Sequence, residues 1–74
     1  MTTNTENVEK IDALIEALEG AIKAADKTNT RRAFYLHLAR DAVLGAREAA
    51  RHDETDLCGR KLETARAYIQ EARA

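Results

Sequence analysis

Apolar residues recur along this chain in three separate runs, and each run keeps a helical period. In the first, Val8, Ile11, Ile15, Leu18, Ile22 and Ala25 follow a 3-4-3-4-3 spacing, which gathers all six on one face of a helix. Leu14 and Ala21 widen that seam, and Ala13, Ala17 and Ala24 form a further strip beside it. Glu9, Asp12, Glu16 and Glu19 fall together on the opposite side. The pattern predicts a helix over about residues 4–26, with residues 1–3 frayed. Thr3 followed by Glu6 has the form of a capping box. Glu6 with Lys10, and Glu19 with Lys23, have the favourable i,i+4 order for ion pairs along a helix.

The polar break at residues 27–30 offers Asn29 or Thr30 as the cap of a second helix, predicted over residues 31–51. Two apolar strips lie side by side on it. One runs through Phe34, Leu38, Ala42, Gly45 and Ala49, the other through Leu36, Ala39, Val43, Ala46 and Ala50. Together they cover roughly 200°, about twice the arc that a one-sided surface helix needs. This helix is therefore expected to pack against two neighbours, and its small residues allow a close backbone approach. A second break at 52–55 contains Asp53 as a candidate N-cap with Asp56 three positions on. The third helix is predicted over residues 54–73, with Cys58, Leu62, Ala65, Ile69 and Ala72 as its seam. Glu63, Arg66, Gln70 and Arg73 are expected to face away from it.

Three helices of similar length joined by short breaks point to one all-α domain, a small antiparallel three-helix bundle. Its helices would each be about 30–36 Å long at about 1.5 Å per residue. A helical dimer in which one helix docks on a second copy is the alternative. A chain of 74 residues holds a modest core, with stability on the order of 3–5 kcal/mol in the absence of a staple.

Charge changes this picture in one respect. The 12 basic and 13 acidic residues nearly cancel, so the strongly basic balance of a nucleic-acid binder is missing. Their distribution is uneven. Residues 1–26 hold six acids against two lysines, and residues 27–52 hold six bases against Asp41 and Glu48. The first two helices are thus expected to pair electrostatically, within one chain or between two copies. The single cysteine excludes an intramolecular disulfide and fits a reducing, cytoplasmic setting. No basic and then apolar leader opens the sequence, and no apolar run approaches the ~18–20 residues that cross a bilayer.

Candidate chemistry is sparse. Cys58 lies mid-stripe, where a free cysteine behaves as a small apolar residue. His37 and His52 match no metal-ligand spacing. Gly20, Gly45 and Gly59 all fall inside helical patterns, so no glycine-rich phosphate loop exists. No enzyme, catalytic residue, metal or cofactor is expected. The surface that attracts attention is the arginine-bearing side of the second helix: Arg40, Arg47 and Arg51, with His37 and Leu44 among them. An apolar residue ringed by arginines has the composition of a protein-binding hot spot. The expected function is that of a small interaction protein, an accessory, regulatory or inhibitory protein of a bacterium or phage. It would bind a protein partner or a second copy, with a dimer favoured, and no membrane. A DNA-associated regulator that lays these arginines on phosphates is the alternative. Asp41 and Glu48 weigh against it, since anions beside a phosphate track lower affinity.

Overall fold

The computed structural model describes residues 3–74, with side chains from residue 8 onward. The Thr3–Glu6 capping box, the Glu6–Lys10 pair and the fraying at residues 1–2 therefore lie outside the described residues. Thr3, expected to fray, opens the first helix. The order is α1 (Thr3–Asp26), α2 (Thr30–Arg51) and α3 (Thr55–Arg73), an all-α three-helix bundle as the hydrophobic period predicts.

The register follows from the contacts. Arg40 meets Glu19 and Arg47 meets Asp12, so α2 runs antiparallel to α1. Arg31 meets Glu71, Tyr35 faces Tyr68, and Gly45 lies against Lys61, so α3 runs antiparallel to α2. Hence α1 and α3 are parallel, and both rest on α2. Among the described residues, no Cα of α1 comes within 8 Å of one in α3. The Cα trace measures 42 × 18 × 14 Å, with a radius of gyration of 12.6 Å. A compact chain of this length would have a radius of about 11 Å, so the bundle is elongated.

The core explains why α2 can serve two neighbours. α1 buries the large side chains Ile11, Ile15, Leu18 and Ile22, and α2 receives them with small ones. Ala39, Val43 and Ala46 are fully buried. α3 docks with Cys58, Ala65 and Ala72, while its larger Leu57, Leu62, Tyr68 and Ile69 are only partly covered. The buried positions of α2 run from Ala33 round to Ala49, again about 200° at 100° per residue. The width of the predicted arc is right, but its position is rotated by about 60°. Ala33 is inside it, whereas Phe34, expected in a packed strip, is 58% exposed.

Both turns satisfy the helix ends locally. The Asn29 side chain accepts a hydrogen bond from the Arg32 amide at 3.0 Å, capping the α2 N-terminus as expected. The second turn differs from the expectation. Asp53 is not an N-cap: its φ is 59°, in the left-handed region. Its amide donates to the Ala50 carbonyl at 3.2 Å, and the Glu54 amide donates to the Ala49 carbonyl at 2.8 Å. This is the Schellman closure of a helix C-terminus, with aspartate where glycine is usual. Asp53 is thus committed to ending α2, and Glu54 takes the N-cap position of α3 without a side-chain cap hydrogen bond.

Two arginines secure the other end of α3. Arg31 donates to the Glu71 carbonyl at 2.9 Å, and Arg32 Nε donates to the Ala72 carbonyl at 3.1 Å. Carbonyls of the last helical turn lack partners inside their own helix, so these guanidinium groups complete them. Arg31 also lies over the Tyr35 ring, 5.0 Å from its centroid.

These environments predict a contrast between two alanine sites. Ala46→Leu, in the sealed centre, should cost about 1–3 kcal/mol through overpacking. Ala17→Leu, on an exposed wall of α1, should change stability by less than about 0.5 kcal/mol. Urea denaturation followed by circular dichroism measures both.

Candidate interaction surface

The five residues singled out in the sequence, His37, Arg40, Leu44, Arg47 and Arg51, lie along the edge of α2 that adjoins α1. Arg40 donates to the Glu19 carboxylate through Nε at 3.2 Å and through a terminal nitrogen at 2.8 Å. Arg47 donates to Asp12 at 3.1 Å. The two arginine side chains are 33% and 30% exposed, so their stems cover the seam while their charged heads stay at its rim. Leu44 lies between them, partly buried against the core, in a shallow recess also bounded by Ile15 and Glu16. His37 comes within 3.9 Å of Asp26, too far for a hydrogen bond. Arg51 is exposed. The acidic face of α1 and the basic edge of α2 are thus the two halves of one intramolecular seam. Glu19, expected to pair with Lys23, turns to Arg40 instead, and His37 turns toward Asp26.

The other candidate chemistry is quickly placed. Cys58 is buried in the α3 seam. His52 lies 2.8 Å from Glu48 on the preceding turn. Among the described residues, no three His, Cys, Asp or Glu side chains converge on a common point, and the core contains no polar or charged side chain.

The opposite side of the molecule is different in kind. Where α1 and α3 would meet in a closed bundle, an apolar groove runs between them over α2. A cavity of about 410 Å³ is walled by Leu14, Ala17, Leu18 and Ala21 of α1 and by Ile69 and Ala72 of α3, with Leu36 of α2 at its floor. A second, of about 170 Å³, continues it past Leu14 and Ile69 to Ile11 and Leu62. Parallel α1 and α3 keep these walls facing each other for the stretch from Lys10 to Ala21, about 16 Å or three turns. Four cations line the groove: Lys10 from α1, Arg32 from α2, and Arg66 and Arg73 from α3. Among the described residues, no acidic residue lines it.

This surface was only half visible in the sequence. The strip of Ala13, Ala17 and Ala24 beside the main seam is a sign of a second apolar face, and all three are exposed. Arg66 and Arg73 carry no signal of their own, because their meaning depends on the separation of α1 from α3. A separate cluster holds every aromatic ring of the chain. Phe34 packs edge-on against Tyr35 with centroids 5.4 Å apart, and Tyr35 lies 6.4 Å from Tyr68.

Comparisons with family models, with curated proteins and with solved structures return no match.

The seam geometry predicts weak, salt-sensitive pairing. A double-mutant cycle on Arg40→Ala and Glu19→Ala should return a coupling of about 0.2–1 kcal/mol, as for partly exposed ion pairs. It should shrink in about 0.5 M salt. Equilibrium denaturation of the four variants measures it.

Proposed function

We propose that this chain is a small non-enzymatic helical interaction module that holds a protein partner along a helix face. It would act as an accessory or regulatory protein, by occupying a surface. The observation that supports this reading is the groove between α1 and α3. Its walls carry leucine, isoleucine and alanine side chains that a closed three-helix bundle would cover. Contiguous exposed apolar surface with a polar rim is the usual mark of an interaction site. Among the described residues, the core holds only apolar side chains, so the reading rests on the surface. The free, buried Cys58 suits a reducing compartment, and we place the protein in the cytoplasm on that basis.

The surface we assign differs from the arginine edge of α2. There, Arg40 and Arg47 already hold carboxylates at 2.8 and 3.1 Å. A phosphate backbone would have to displace Glu19 and Asp12, which argues against the DNA-binding alternative. A homodimer formed groove to groove would press cationic rims together, so a partner other than a second copy is favoured.

Site-directed photo-crosslinking in the organism of origin tests the reading. A benzophenone side chain at Ala17 should yield a discrete protein adduct, and one at Ala67, on the outer face of α3, should not. Absence of an adduct at Ala17, or the same adducts from both positions, would contradict it.

A further inference from the structure

The closed seams of this bundle share a rule that its open side breaks. Across the α1–α2 seam, Arg40 faces Glu19 and Arg47 faces Asp12. Across the α2–α3 seam, Arg31 faces Glu71. In each case a cation on one helix meets an acid on its neighbour. Along the α1–α3 groove both edges are cationic. Lys10 stands on one side and Arg66 and Arg73 on the other, and no ion pair is formed by any of them among the described residues. Arg32, at one end, is bound to the Ala72 carbonyl and adds its charge to the same field. Like charges on facing edges oppose closure of α1 onto α3, and among the described residues no acid lines this seam.

We infer that the occupant of the groove is an amphipathic α-helix of a partner protein, with an apolar stripe flanked by acidic residues. This rests on the interaction reading above and specifies its partner. Three features argue for this occupant. The groove is straight and about three turns long, the size of a helical segment. Its α1 wall sets Ala17 and Ala21 beside Leu14 and Leu18, with Ala13 and Ala24 adjoining, and the small residues admit a helix backbone between the larger ones. Its rim supplies cations on both edges, so acids flanking the stripe of a docked helix would meet a base on either side. The partner helix thus completes a four-helix arrangement in which each seam joins opposite charges. A second copy fits poorly, because the acids of α1 are turned to Arg40 and Arg47 on the far side.

Fluorescent peptides of about 21 residues, long enough for the groove with a turn to spare at each end, test this on the full chain. One carries leucine and alanine in heptad positions with glutamate at the flanks; the other has lysine in place of each glutamate. Fluorescence anisotropy at low salt should show the glutamate peptide bound at least about tenfold more tightly, the sum of three rim ion pairs. The preference should narrow in about 0.5 M salt. Arg66→Glu with Arg73→Glu should abolish or reverse it, while Arg60→Glu, an exposed cation that does not line the groove, should leave it intact. Circular dichroism establishes that each variant folds. Equal affinity for the two peptides, a preference untouched by the double reversal, or uptake of a fluorescent fatty acid with neither peptide bound would overturn the assignment. If the Ala17 crosslink to a protein persists while the charge preference is absent, the acidic helix is wrong and the interaction reading stands. If both fail, both are wrong.

Discussion

Close approach to the small-residue face of α2 is the constraint on which the rest of this structure depends. Ala39 and Ala46 leave room where larger side chains would hold the neighbours off. On one side α1 inserts Ile11, Ile15, Leu18 and Ile22, and on the other α3 brings Cys58, Ala65 and Ala72. Because the buried arc spans about 200°, the two neighbours sit far apart around α2. Helices placed that widely on a third cannot also seal against each other. The groove between α1 and α3 is therefore a consequence of how broad the packing face of α2 is, and not a separate feature grafted onto the bundle.

Electrostatics sharpens that geometry. The acids of the first third of the chain are spent on the arginines of the second, at the α1–α2 seam. Among the described side chains, the other flank of α1 carries no negative charge: Lys10, Ala13, Leu14, Ala17, Ala21 and Ala24 occupy it. The facing flank of α3 carries Arg66 and Arg73 beyond Leu62 and Ile69. Such a surface lacks the counter-charge that would draw α3 across, and it offers a partner both apolar area and a defined sign of charge. Arg31 and Arg32 contribute differently. Set at the α2 N-terminus, where a cation is disfavoured by the helix dipole, they find acceptors in the carbonyl ends of α3.

Much of the fold is legible in the residue pattern. The three helices, their order, the Asn29 cap and the two-sided packing of α2 follow from periodicity and capping chemistry alone. What escapes is rotation. Reading arginine as outward placed Arg40 and Arg47 on the free face and put Phe34 in a packed strip. The structure turns α2 by about 60° the other way, because a guanidinium paired with a carboxylate can lie at a seam while its methylenes pack. Asp53 escaped for a related reason: one residue in a short turn cannot both end α2 and cap α3, and the backbone geometry decides. The groove depends on the distance between helices distant in sequence, which no single-helix pattern encodes. Its one forewarning was the alanine strip of α1.

The separation of α1 from α3 is open to direct measurement by disulfide trapping in a Cys58→Ala background. A disulfide requires Cα atoms within about 7 Å, and no Cα of α1 lies within 8 Å of a Cα of α3 among the described residues. Paired cysteines at Leu14 and Ile69, on opposite walls of the groove, should therefore stay reduced under mild oxidation. Cysteines at Gly45 and Lys61, positions that face each other across the closed α2–α3 seam, should form a disulfide far more readily under the same conditions. Closure of the Leu14–Ile69 pair as readily as the Gly45–Lys61 pair would mean that α1 and α3 collapse onto each other, and that the groove does not exist in solution.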